Sequence, residues 1–143
     1  MIGIASDHGG YETKEEIKKY LEANNYKVVD YGTDSLESVD YPIYALKLCK
    51  GYQNKEIEKG IVICTTGIGM SIACNKIKGI RCAKVDNKEE AYLTRSHNDS
   101  NILALSSKNK DAIEIVKIFI ETPFSNEERH ARRIKEIMDL ENA

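Results

Sequence analysis

Short, almost wholly apolar runs alternate along this chain with longer stretches in which apolar positions recur every three or four residues. The runs Ile2–Ala5, Lys27–Val29, Gly60–Cys64, Arg81–Val85 and Ile102–Leu105 predict strands. Between them, Glu12–Asn24 carries Ile17, Tyr20 and Leu21 at helical spacing, and Tyr41–Gly51 has Pro42 suited to a first helical turn. Further helices are predicted over Gly69–Ile77, Lys88–Arg95 and Lys110–Glu121. Strand followed by helix, repeated, predicts an α/β fold. Parallel neighbours need a crossover, and short all-apolar strands such as GIVIC need burial on both sides. The expectation is a Rossmann-like three-layer sandwich: a five-stranded parallel sheet, helices on both faces and a C-terminal helix. No linker, repeat or low-complexity segment divides the chain, so residues 1–143 are read as one domain.

The last stretch has its own signals. Ser125 with Glu128 three residues later forms a capping-box pattern, which predicts a helix from Asn126 almost to the C-terminus. Arg129 and Arg133 lie four apart on one face, beside a face of Ala131, Ile134, Ile137 and Met138. A cation so near a helix start is mildly unfavourable. On pattern alone, the stretch is an ordinary solvated helix with glutamate partners.

Composition bounds the function. The 143 residues are 41% hydrophobic, enough for a real core, and the net charge of -2 offers no global attraction to nucleic acid or anionic lipid. Any anionic ligand must therefore meet a local cationic cluster. The N-terminus MIGIASDHGG lacks the features of a signal peptide, and no apolar run approaches the roughly 18 residues of a membrane span. A cytoplasmic protein is expected. The four cysteines, at 49, 64, 74 and 82, show neither C-x-x-C nor metal-ligand spacing, so reduced thiols and no metal site are expected.

In open parallel sheets, ligands bind outside the carboxyl ends of the strands. Strand one delivers Ser6-Asp7-His8-Gly9-Gly10, strand three delivers Cys64-Thr65-Thr66-Gly67, and the helix after strand four ends in Ser96-His97-Asn98-Asp99. Each cluster alone reads more simply as a cap or turn. The run Gly67-Ile68-Gly69 invites a dinucleotide reading, with Asp86 standing 19 residues beyond Gly67, but Ile72 occupies the third glycine position. The loop also follows the third strand rather than the first, and no Gly-Lys-Ser/Thr makes it a Walker loop. What remains is a strand-to-helix turn with N–H groups available to an anion. Cys64, at its start, suits two chemistries. With His97 as partner it could be a nucleophile; as a thiolate base it would need a carbon acid and N–H donors for an enediolate.

Taken together, S-D-H-G-G at 6–10, V-D-Y-P at 39–42, the run from Gly60 to Arg81, R-S-H-N-D-S-N-I-L-A-L at 95–105 and R-H-A-R-R at 129–133 resemble type B ribose-5-phosphate isomerase. That family shares a superfamily and a fold with the galactose-6-phosphate isomerase subunits. The resemblance spans nearly the whole chain. It implies interconversion of D-ribose 5-phosphate and D-ribulose 5-phosphate, a step of the pentose phosphate pathway, without cofactor or metal. By position, Cys64 matches the base that moves a proton between C2 and C1, Thr66 the hydroxyl beside it, and His97 the proton donor for ring opening. Asp7, His8, Tyr41 and Asn98 match sugar contacts. Thr65, Gly67, Ile68 and Gly69 form the loop that holds the enediolate oxygens, and Arg129 and Arg133 match the phosphate grip. The resemblance further implies a homodimer or homotetramer whose active sites are shared between chains, with a small sugar phosphate as ligand and neither nucleic acid nor membrane as partner.

Two positions depart from the family pattern. Cys-Gly-Thr-Gly is usual where this chain has Cys64-Thr65-Thr66-Gly67, and a side chain at 65 narrows the loop or restricts its backbone. An arginine is usual at Lys108; lysine keeps the charge and loses the bidentate fork. An allose or galactose 6-phosphate isomerase is the neighbouring alternative. A phosphate- or nucleotide-sensing module of flavodoxin-like build would account for the fold and the turn but not for Cys64.

Overall fold

The computed structural model describes residues 1–143. Five strands, β1 (Ile2–Ser6), β2 (Val28–Asp30), β3 (Lys59–Cys64), β4 (Cys82–Lys84) and β5 (Ile102–Ser106), form one sheet in the order β2-β1-β3-β5-β4, and every pairing is parallel. The helices are α1 (Tyr11–Ala23), α2 (Tyr41–Gln53), α3 (Ile68–Cys74), α4 (Lys88–Asn98), α5 (Ala112–Glu121) and α6 (Glu128–Asp139). The predicted α/β architecture is the observed one.

Which helix covers which face follows from chain direction. The steps from β1 to β2 and from β4 to β5 run one way across the sheet, while those from β2 to β3 and from β3 to β4 run the other. Because such crossovers are right-handed, a reversal of direction moves the connecting helix to the opposite face. Helices α1 and α4 accordingly share one face with α5, where Ile17, Leu21, Ala91, Ile115 and Phe119 pack on Ile4, Ile61, Ile63, Leu103 and Leu105. On the other face, Ala45, Leu48, Met70 and Cys74 of α2 and α3 pack on Ala5, Val62, Cys64, Ile102 and Ala104. Alternate residues of β3 and β5 thus serve opposite cores, as the period of two requires.

Several boundaries differ from the sequence reading. Helix α3 stops at Cys74 rather than Ile77, because the Asn75 side chain turns to pair with both backbone groups of Cys82 (2.8 and 2.9 Å). Helix α5 starts at Ala112, after Asn109 Oδ1 has capped the Asp111 N–H. Helix α6 begins at Glu128 and not Asn126, since Asn126 is left-handed at φ 62° and Ser125 Oγ accepts from Glu127 N, so the capping box does not form. Its inward stripe is also different. His130, Ile134 and Met138 face the protein, whereas Ala131 and Ile137 of the expected apolar face point outward. No helix is long and apolar enough to cross a membrane.

Candidate active site

The chain turns away from β1 in both directions at its carboxyl end, so β1 and β3 flank the crevice where open sheets bind ligands. Asp7 and His8 leave β1 there. Asp7 Oδ1 accepts the Gly10 N–H at 3.0 Å, capping the single 3-10 turn His8–Gly10 that leads into α1. A Cβ at Gly10 would lie 2.6 Å from the Ile63 carbonyl, so only glycine lets this turn lie across β3. His8 Nδ1 accepts the Val39 N–H at 3.1 Å, which puts the proton of a neutral ring on Nε2 and ties the segment before α2 to the crevice. Tyr41, at the start of α2, lays its ring over Gly69, where a Cβ would fall 2.5 Å from Tyr41 Cζ.

Cys64 ends β3 with its side chain toward α2 and α3, and it is 5% exposed. Gly67 donates its N–H to Cys64 Sγ at 3.1 Å. Sulfur accepts such a bond far better as thiolate than as thiol. The contact depends on Gly67 being left-handed, at φ 78°, and a Cβ there would lie 2.8 Å from the Leu105 carbonyl carbon. Thr66 Oγ1 accepts from Ile68 N at 3.2 Å and stays exposed beside the turn. Thr65 has its hydroxyl folded toward Gly9, which tolerates it because a Cβ at position 9 would come within 2.4 Å. Its side chain therefore lies against the β1 turn.

Ser106, missed in the sequence, fastens this loop. It pairs with Cys64 in the sheet, donates its hydroxyl to the Thr65 carbonyl at 2.7 Å, and accepts the Lys108 N–H at 3.1 Å. The rule that located the other clusters would have found it, had the residues after the fifth strand been taken with those after the first and third. Lys108 is exposed beside Thr65 and Thr66 on a polar cleft of about 420 Å³. Asp7, His8, Tyr41, Cys64, Thr65, Thr66, Gly67, Ile68, Gly69 and Lys108 thus share the carboxyl edge of the sheet.

His97, Asn98, Arg129 and Arg133 do not join them. Helix α4 starts at the carboxyl edge after β4 and runs back, so its C-terminal residues lie at the amino edge, where Asn101 bonds to Arg81 and Gly60. Grouping His97-Asn98-Asp99 with the strand ends was an error of direction. The five residues of β5 alone separate the two edges by about 13 Å at about 3.3 Å per step. Asp99 is structural: left-handed at φ 47°, it caps α4 and pairs with Arg95 at 2.8 Å and Arg81 at 3.6 Å. Buried Arg95 also donates to the Ser100 and Thr122 carbonyls, anchoring the approach to α6.

Helix α6, which carries Arg129 and Arg133, packs against the end of α4 that bears His97. Arg129 contacts Glu127 at 3.2 Å, and Arg133 makes no ion pair. His130, between them, stacks on His97 with ring centroids 4.1 Å apart and planes 14° from parallel. Burial first, then His97 and Arg129, hold the His130 imidazole below its usual pKa, opposed only by Glu127. Its sequence signal was periodic: His130 stands four residues before Ile134 and eight before Met138.

The family model described as Ribose/Galactose Isomerase matches residues 2–137. Ribose-5-phosphate isomerase B of Escherichia coli is 36% identical over 143 residues, covering 98% of this chain and 95% of the relative. The solved structure of Clostridium thermocellum ribose-5-phosphate isomerase B superposes with a TM-score of 0.96 at 45% identity, covering 99% of this chain and 97% of that one. The Mycoplasma genitalium ribose-5-phosphate isomerase B structure, with bound ribulose-5-phosphate, gives 0.92 at 38% identity over 99% and 95% of the two chains.

Proposed function

Because this chain belongs to the ribose/galactose isomerase family, we propose that it interconverts D-ribose 5-phosphate and D-ribulose 5-phosphate, with Cys64 as the base and with each active site built from two copies. The observation that carries the reading is a nearly buried cysteine at the sheet's switch point with a backbone N–H aimed at its sulfur.

The reaction begins on the furanose. The C1–O4 bond breaks as O4 takes a proton from His97 and the O1 hydroxyl releases one to water, leaving the C1 aldehyde. The Cys64 thiolate then removes the proton on C2. Its electron pair forms the C1–C2 double bond and the carbonyl pair moves to O1. Thr66 and the free N–H groups of Thr65 and Thr66 stabilise this enediolate by hydrogen bonding where its charge develops. As the O2 proton passes to O1, the Sγ proton returns to C1 and the carbonyl forms at C2, so atoms and charge balance. Asp7, His8 Nε2–H, Tyr41 and Asn98 are suited to the sugar hydroxyls. Arg129 and Arg133, one turn apart, grip the phosphate with charge-assisted bonds, which gives a purpose to cations near a helix start. Lys108 adds charge without a fork.

A second copy is required because the base and the ring-opening acid occupy opposite edges of one sheet. Outward-facing Ile137 of α6, 46% exposed, and Leu140 just beyond its end, 69% exposed, give that copy an apolar surface to cover.

In the decisive test, Cys64→Ala loses both isomerisation and exchange of the C2 hydrogen with solvent while its circular dichroism is unchanged. A Cys64→Ala protein that still turns over ribose 5-phosphate would overturn the assignment of the base.

A further inference from the structure

We propose that His130 is the positioning residue of His97: its buried ring, fixed on α6, holds the His97 imidazole in the one plane from which it can serve the sugar ring oxygen. The inference rests on the reading of His97 as ring-opening acid.

The geometry argues against a packing role for His130. It occupies the inward stripe of α6 where its companions are Ile134 and Met138, and it is 8% exposed. Its Nε2 is buried without a hydrogen bond, although the Glu127 carboxylate stands 3.4 Å away. An unsatisfied buried nitrogen is destabilising, so an apolar residue would pack there at lower cost. What the imidazole provides is a flat surface nearly parallel to the His97 ring. His97 needs such a support. It lies in the last turn of α4, two residues before left-handed Asp99, and no hydrogen bond to the protein fixes its ring. A catalytic ring free to rotate about its Cβ–Cγ bond is badly placed for proton transfer, and a stacked neighbour removes that freedom.

Charge supports the same arrangement. The groups facing His130 are His97 from α4 and Glu127, Arg129 and Arg133 from α6 and its approach. Burial and the three cationic or protonatable neighbours disfavour a proton on His130, against Glu127 alone. A proton on His130 is thereby disfavoured, and the stack is held back from becoming two facing cations when His97 acts as the ring-opening acid.

The experiment uses two substrates that share the enediolate but not the ring. Ribose 5-phosphate is a furanose and must be opened. Ribulose 5-phosphate is open-chain, because the hydroxyl that would close its five-membered ring carries the phosphate, so exchange of its C1 hydrogen with solvent reports proton abstraction alone. In the intact oligomer, His130→Ala lowers kcat for ribose 5-phosphate by about tenfold or more, the scale of a displaced general acid. KM and C1 exchange stay near the parent values. His130→Phe, which restores a flat ring without a titratable nitrogen, recovers most of the lost kcat. Wild-type turnover of ribose 5-phosphate by His130→Ala overturns the proposal, as does an equal loss of both reactions in His130→Phe. A His97→Asn enzyme that opens ribose 5-phosphate normally would instead overturn the role given to His97, a separate result.

Discussion

At the residue scale, the Cys64 turn shows how much a single backbone angle decides. The sequence points to a cysteine, two hydroxyls and two glycines after a strand, and that was legible from types and spacing. It does not reveal that Gly67 must be left-handed to put its N–H on Sγ, nor that Thr65 turns against Gly9, because both depend on contacts with strands and turns distant in the chain. Gly67→Ala meets two penalties: a left-handed angle that alanine adopts poorly, and a Cβ 2.8 Å from the Leu105 backbone. We expect it to lose about 1–3 kcal/mol of stability in urea unfolding. The remaining folded protein should lose most of its isomerase activity, since the loop must shift away from the sulfur. A Gly67→Ala protein with parent stability and parent kcat would show that the turn geometry is not required.

Among the elements, β2 is a short edge strand, with Val28 and Val29 partly covered and Asp30 exposed, yet its end is tied in firmly. Lys14 of α1 is fully buried and reaches Asp30 at 2.6 Å, with Glu15 at 3.1 Å; Asp30 in turn accepts the Gly32 N–H at 2.8 Å. Burial alone would raise the Asp30 pKa, but the bonds from Lys14, Gly32 and Lys18 outweigh it and hold the carboxyl below its ordinary value. A carboxyl depressed on folding stabilises the protein above its unfolded pKa, and that contribution fades as pH falls through the folded one. Stability measured by urea midpoint should therefore decline below about pH 4, and Asp30→Asn should remove this part of the decline. At neutral pH the same substitution leaves Lys14 buried with only Glu15, for a loss of about 3 kcal/mol. An unchanged midpoint at pH 7 would mean that Lys14 finds water instead. Helix α6 is the opposite case. Its existence was legible from periodicity, but its start and inward face were not, because an αL residue at Asn126 and the stack on His97 rotate it away from the purely apolar stripe.

For the whole molecule, the two groups of site residues lie on opposite edges, and this makes a prediction about assembly. Mixing Cys64→Ala with His97→Asn protein, after denaturation and refolding together, should restore activity. If each site draws Cys64 from one chain and His97 from another, half of the randomly formed dimers are mixed and each has one intact site. The expected recovery is about a quarter of the parent activity. Refolded mixtures that stay inactive would show that both residues serve sites within one chain, or none. The sequence by itself determined the alternation of strand and helix, the parallel sheet, the sequence of chemical groups at Asp7, Cys64, His97 and Arg129, and hence the family resemblance, because hydrophobic period and motif spacing are local properties of the chain. Only the tertiary structure decided which groups meet. Parallel strands send every connecting helix back across the sheet, so residues at a helix end arrive at the edge opposite those at a strand end. His97 is thereby separated from Cys64 and brought against His130, a contact that no spacing in the sequence announces.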